Sequence, residues 1–348
     1  MALGFPPDVG AASLPTARVP FGDGTTTYLN AATLQFVTGS NSLRVNNPTV
    51  GANDAGELIV AGTARVLTSF QSYGGATVGN ARGTNSFDGQ FFRSTAAQVA
   101  SGLESVLIGG RNNTASSSRG VVVGGTGNTA SGGDRGSIVG GNANTVTGQD
   151  SFVGGGDGNV VAGGYNAAFG RVNTSTAVQY AYMFGEDNDV TAKYGVVFGV
   201  QAIADHFGEI SHCTGVFAAV GDAQVSDVIW RRSTANATIT ELFLDGTGTR
   251  FTLADDSAYG FYIQVVARRT DANDECAVYE FRGGIDRNAG VTALISAVTK
   301  TVLAEDTAAW ECDVTADDAN DALIISVTGE AAKTIRWVAS GRITRVVG

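Results

Sequence analysis

Proline is scarce in this chain, 5 residues in 348, although glycine is plentiful at 48. The imbalance excludes a collagen repeat and a Pro-rich linker, and it assigns the glycine to tight turns. Cysteine is scarce too. Cys213, Cys276 and Cys312 are odd in number and widely spaced, which speaks against a disulfide framework and predicts buried thiols in a chain assembled in a reducing host cytoplasm. No run of 18 apolar residues occurs, so no membrane-spanning helix and no membrane insertion are expected. Basic residues are outnumbered, 22 against 33 acidic, for a net charge of −11. With no basic stripe to neutralise phosphates, nucleic acid is not an expected partner.

Motifs of chemistry are missing as well. The two histidines, His206 and His212, have no Cys or His at metal-ligand spacing and read as core or turn residues. There is no Gly-x-Ser-x-Gly elbow, no Walker motif and no Cys-x-x-Cys. Glycine doublets abound without the strand-to-helix context that cradles a phosphate. The acidic turns at Asp255-Asp256, Asp271 to Asp274 and Asp317-Asp318 lack EF-hand spacing. Asp150 and Asp157, and Glu186 and Asp187, stand where a glycan-cutting solenoid would carry carboxylates, but they read as turn residues. The expectation is therefore a protein that is not an enzyme, with no catalytic residues, no cofactor and no metal.

What is present is a repeat. Anchor glycines fall at Gly109, Gly124, Gly140, Gly154, Gly170, Gly185 and Gly199, in steps of 15, 16, 14, 16, 15 and 14. Two apolar residues precede each anchor, and Ile108, Val123, Val139, Val153, Phe169, Phe184 and Phe198 are the expected repeat core. A period of about 15 residues suits one coil of a parallel β-solenoid, which stacks because no coil folds alone. Adjacent strand residues point to opposite faces, so an apolar pair in every coil means two dry faces. One fills the coil; the other needs a partner, and a homotrimer is expected. After each early anchor come Asn112-Asn113-Thr114, Asn128-Thr129 and Asn144-Thr145, which predict structural asparagines laddered along the stack. The pattern weakens at Cys213–Thr214, where a capping turn is expected.

Flanking sequence differs in kind. Residues 1–100 hold Pro6, Pro7, Pro15 and Pro20 in an irregular arm, followed by short β-type runs such as Leu34–Val37 and Ser42–Val45. Residues 101–215 are the solenoid. Residues 216–348 alternate with period two between regular turns, the signature of an antiparallel β-sandwich, with Tyr259, Phe261, Ile263 and Val265 on one face. The fold class expected is all-β.

Two stretches carry a resemblance. Val106-Leu107-Ile108-Gly109-Gly110-Arg111-Asn112-Asn113-Thr114-Ala115-Ser116 and its successors resemble the head repeats of trimeric autotransporter adhesins and of phage tail fibres. Arg18-Val19-Pro20-Phe21-Gly22-Asp23-Gly24, and the segments Thr301–Trp310 and Gly329–Trp337, look like the ends of tailed-bacteriophage fibre proteins. The resemblance implies a trimeric left-handed parallel β-roll in a virion tail protein. Its arm would dock on tail or baseplate proteins, and its C-terminal domain would meet a host-surface glycan or protein; the alternatives are a glycan-depolymerising tailspike and a purely structural fibre segment with a separate receptor-binding protein. The lack of a secretory signal at Met1 favours the virion over the bacterial surface. The receptor-binding residues are not legible.

Overall fold

A computed structural model describes residues 80–272 and 275–348, with the backbone of strands Leu34–Val37 and Ser42–Val45. Those two strands pair antiparallel, Leu34 opposite Val45, as their sequence predicts. The Pro-rich arm and the other early strands lie outside the described residues. All the described regular structure is β.

Nine strands, from Phe87–Gly89 to Ile210–Thr214, stack in parallel as one wall of the solenoid, and seven shorter ones, from Thr114–Ala115 to Ile203–Ala204, form a second. At about 4.8 Å per coil this is a rod of about 40 Å. Its inside is a column of Leu107, Val122, Ile138, Val153, Ala168, Met183 and Val197, all fully buried. They face Ala115, Ala130, Val146, Val161, Val190 and Ala204 from the second wall. The coil is too thin for more than one large side chain per layer, so large residues meet small or β-branched ones.

This corrects the expected core. Of the seven residues named, only Val153 points inward. Ile108, Val123, Val139, Phe169, Phe184 and Phe198 point outward and keep between 37% and 51% of their surface exposed. Strand alternation is the reason: the residue before each of these six fills the coil, which places its neighbour outside. Val153 pairs in register with Ile138 and Ala168, the inward residues of the neighbouring coils, so the outward position of coil four falls on Gly154 itself. The Phe169 ring lies over that glycine.

The glycine anchors shift for the same reason. The column that coil stacking demands is Gly110, Gly125, Gly141, Gly156, Gly170, Gly185 and Gly199, so Gly109, Gly124 and Gly140 sit one place early and Gly154 two. At every member φ is positive, and an added Cβ would lie 1.8 to 2.3 Å from the carbonyl oxygen of the next coil. No other residue fits there. Paired strands place Ser211 and His212 opposite Val197 and Phe198, so the weakening pair of the last coil is Ser211–His212, and Cys213 continues the glycine column.

Beside the glycines runs a ladder of fully buried amides, Asn113, Asn128, Asn144, Asn159, Asn173 and Asn188. Each Oδ1 accepts the backbone N–H one coil further on at 2.9 to 3.2 Å, ending at Ala202. From Asn144 to Asn188 each Nδ2 also donates back to the preceding Oδ1 at 2.8 to 3.1 Å. The ladder starts on Gln90, whose Oε1 accepts the Asn113 N–H at 3.0 Å. In this first coil the inward position is Asp88, fully buried and bonded by Arg82 at 2.8 Å and Arg93 at 3.1 Å. Among the described residues this ion-paired cluster is the first layer of the column.

The last solenoid strand pairs antiparallel with Ala223–Thr234, so the wall continues without a break into the C-terminal domain. There Ala223–Thr234, Ile335–Val347, Ser257–Arg269 and Cys276–Asn288 lie side by side. A four-stranded sheet of Ile239–Glu241, Phe251–Thr252, Glu311–Asp317 and Ala322–Thr328 faces them across a core that holds Trp230, Trp310 and Trp337. Tyr259, Phe261, Ile263 and Val265 line it, as their alternation predicts.

The glycine column sets an expected outcome. Gly185→Ala puts a methyl 1.9 Å from the Gly199 oxygen, and should lower stability by more than about 4 kcal/mol. Gly208→Ala, at positive φ in open space, should cost only about 1–2 kcal/mol. Thermal unfolding of the two variants, followed by circular dichroism, checks the difference.

Candidate functional site

Turn carboxylates on the coils pair along the rod axis. Asp150 is bound by Arg135 of the preceding coil, which holds its carboxyl below the usual range. Asp157 accepts from Asn142 Nδ2 at 2.6 Å, Glu186 pairs with Arg171, and Asp187 accepts from Gln201 Nε2 at 3.0 Å. None of these four is left over for a hydrolytic pair with another. Asp189 differs. It begins the strand Asp189–Val190 between Thr174 and Ile203 of the adjacent coils. Burial, reinforced by the nearby Asp187 charge, raises its carboxyl above the ordinary value. Among the described residues it is the only carboxylic acid so shifted.

The acidic turns of the C-terminal domain serve their own backbone. Asp255 accepts the Gly290 N–H at 2.9 Å, Asp318 accepts the Thr292 N–H at 2.6 Å, and Asp317 accepts those of Ala319 and Asn320. Their lone pairs are spent on turns, as the sequence implies. Of the cysteines, Cys213 and Cys312 are buried, whereas Cys276 is half-exposed, with its thiol on the Asp306 carboxylate at 3.2 Å.

The densest polar cluster sits at the junction of rod and C-terminal domain. His206 and Glu209 are buried, with Asp205 beside them. His206 Nδ1 lies 2.8 Å from Asp205 Oδ1 and 3.1 Å from Glu209 Oε2, while Nε2 lies 2.8 Å from the Thr252 carbonyl. Arg345, 140 residues away, closes the group by bonding Asp205 Oδ2 at 2.8 Å. Three donor atoms of this kind match a metal set in spacing. Their partners do not: Glu209 Oε2 already accepts the backbone N–H groups of Asp205 and His206 at 2.9 Å each. A doubly protonated imidazole satisfies both ring nitrogens, donating to a carboxylate on one side and a carbonyl on the other, with its face stacked on Phe251 at 4.0 Å. His206 is thus a buried imidazolium in a structural clamp. His212 instead lies exposed in the outward row after Phe198. The sequence gives no hint of this clamp, because Arg345 is remote.

The outward row of the wall is a continuous surface feature. Phe169, Phe184 and Phe198 stack at 5.4 and 5.3 Å between centroids, and Phe152 packs tilted against Phe169 at 5.6 Å. A shallow trough of about 640 Å³ runs beside them, floored by Gly156, Gly170, Gly185 and Gly199. At one corner Tyr165, Tyr180 and Tyr194 make a second stack at 5.1 and 4.9 Å.

No family model matches the chain, and no curated protein does. Among solved structures it is similar to a tailspike protein, gp49, of Acinetobacter baumannii bacteriophage Fri1, a capsular polysaccharide depolymerase. Identity is 6%, covering 75% of this chain and 69% of that one, with a TM-score of 0.21. It is also similar to the tailspike protein of Acinetobacter phage vB_ApiP_P1, with 10% identity, 76% and 66% coverage and a TM-score of 0.17. The expectation that this chain is not an enzyme is corrected on this finding, since a depolymerase stands among the proteins it is similar to. At such TM-scores the likeness assigns no residue of this chain to a reaction.

The imidazolium clamp has a pH signature. Burial alone would lower the His206 pKa, but the carboxylates of Asp205 and Glu209 outweigh it and push it up to about 10. The folded value lies above the unfolded value of about 6.5, so the stabilisation is whole below pH of about 6.5 and is lost as pH rises through about 10. The wild-type melting temperature should therefore fall across that window relative to His206→Gln. Parallel curves would show that the ring is neutral.

Proposed function

We propose that the chain is a homotrimeric bacteriophage tail protein of the fibre or tailspike kind, part of the virion, which holds three copies of its C-terminal domain against a host-surface glycan. One observation carries the reading: the outward apolar row from Ile108 to Phe198, exposed in every coil where a side chain stands. A single soluble chain has no use for a continuous stripe of Ile, Val and stacked Phe. The row is a ridge, and the glycine trough beside it is a groove of the same repeat. Ridge and groove are different surfaces, so packing one into the other is heterologous and closes by rotation into a ring of parallel chains. The resemblance of the coils to trimeric β-rolls supports three as the number. Three weak sites on one rigid rod gain avidity without new contacts. Residues 1–30, with their prolines, suit docking on tail or baseplate proteins.

Asp189 favours a second reading, in which the same protein cleaves the glycan it holds. The Asp189 carboxyl is raised by burial and by the nearby Asp187 charge, which is the direction of shift that a glycosidic general acid requires. Asp189 and Asp187 flank Asn188 of the buried ladder, which fixes their backbone.

Native mass spectrometry should give three times 35.5 kDa, and Phe184→Asp with Phe198→Asp should give monomers; a wild-type monomer defeats the proposal. Labelled protein should adsorb to encapsulated bacteria in a strain panel, and adsorption to none would defeat the host-binding part. If capsule is shortened, Asp189→Asn should slow release of reducing ends by about 100-fold or more without changing adsorption. Equal rates would clear Asp189 of a role.

A further inference from the structure

The outward face of the C-terminal sheet carries a charge opposite to that of the whole chain. Strand register sets its residues in rows: Asp227, Arg342, Tyr262 and Arg282 in one, then Ile229, Ser340, Gln264 and Glu280 in the next. Further along, Arg231 lies opposite Val338, and Arg268 directly opposite Arg336. Paired residues share a face, so five exposed guanidiniums stand there against the carboxylates of Asp227, Glu280 and, two rows beyond Arg282, Asp286. The excess is two positive charges, in a chain of net charge −11.

Two features of this face ask for a ligand. Like charges directly opposite on adjacent strands are destabilising, yet the guanidiniums of Arg268 and Arg336 meet no carboxylate among the described residues. Arg342 is likewise without a side-chain partner, although Asp227 and Tyr262 flank it in register. Beside it lies a depression of about 370 Å³, walled by Asp227, Tyr262, Gln264, Ser340 and Arg342 and by Ile210 of the last coil. Arg282 holds the Tyr262 ring from one side at 5.0 Å.

We propose that this face binds an acidic saccharide chain, with a sugar ring in the depression against Tyr262 and carboxylates on Arg342 and on the Arg268–Arg336 pair. The depression offers an aromatic surface, an amide, a hydroxyl and a carboxylate, which suit the apolar ring face and the hydroxyls of a sugar. Asp227 accepts from hydroxyls but would repel a phosphodiester lying in the same place, so nucleic acid is disfavoured. From Arg342 to Arg336 is six residues of strand, about 20 Å, the length of a few sugar rings. Guanidinium groups bind carboxylates through paired N–H donors, which accounts for arginine throughout this face and no lysine.

The inference rests on the glycan-binding reading and names its site and ligand class. The test uses the full-length protein and calorimetric titration with oligomers of galacturonate, hyaluronan and polysialic acid, with dextran oligomers as the neutral probe. Expected are binding of at least one acidic probe, none of dextran, and weakening by tenfold or more in Arg342→Ala and in Arg268→Ala/Arg336→Ala. Raising the salt concentration should weaken it further. The proposal fails if no acidic probe binds, if dextran binds equally, or if the variants bind as wild type does. A change of oligomeric mass in the variants also defeats it, since the face would then be covered by a second copy. Variants that still adsorb fully to bacteria would overturn this site while leaving host binding intact. A wild type that adsorbs to no strain would overturn host binding, while the titrations judge this site separately.

Discussion

Backbone contact between successive coils is the constraint on which the rest of the structure depends. Stacking at about 4.8 Å leaves no room for a Cβ at one corner, and the column from Gly110 to Gly199 obeys that limit in every coil. Such close approach buries peptide groups that no strand pairing reaches. The asparagine ladder answers them, since each fully buried amide accepts a backbone N–H of the next coil and donates to a glycine carbonyl such as that of Gly156 or Gly170. Glycine and asparagine are therefore one device. A buried amide left half-satisfied would cost more than an apolar replacement, so the ladder must run unbroken, and it does so from Gln90 to Ala202.

Once the corner is fixed, the two apolar residues ahead of it have no freedom. One must enter a coil only wide enough for Leu107 against Ala115 or Met183 against Val190, and the other must leave it. The outward row is thus a consequence of the inward one. What evolution can vary is its chemistry, and along this rod it passes from Ile and Val to stacked Phe. The two ends of the described column differ from its middle. At the start the inward position is taken by Asp88, bonded by Arg82 and Arg93. At the far end the wall runs on as sheet, and the Asp205–His206–Glu209–Arg345 clamp ties the last turn to the final strand.

Much of this was legible in the sequence, and the parts that were not share a cause. Period, strand content, the structural role of Asn113 and its successors, and the alternation of Tyr259 to Val265 are all written in local order. Which member of each apolar pair points inward is not, because Leu107 and Ile108 are equally apolar and only the turn geometry decides between them. Glycine doublets hide the corner residue in the same way: Gly109 and Gly110 both have positive φ, but only Gly110 touches the next coil. The triplet Gly154-Gly155-Gly156 hides a bulge as well. Neither the clamp nor the arginine face has a local signature, since each joins residues that lie far apart in the chain. The absence of a catalytic motif excludes little, because a solenoid can place carboxylates from separate coils side by side with no motif in the chain.

One sheet runs from the first coil to the C-terminal domain, and its outward side changes character within it. Up to Phe198 that side is apolar, ridged and grooved; from the strand Ala223–Thr234 onward it bears guanidiniums, with a depression that begins at Ile210 of the last coil. Lateral packing is favourable where surface is apolar and repulsive where an excess of positive charge meets copies of itself. In the proposed trimer, contact along the rod would therefore give way to solvated faces at the domain. No hinge or linker is required for this, because adjacent strands of a sheet rotate by about 20–25° relative to one another and turn its face progressively.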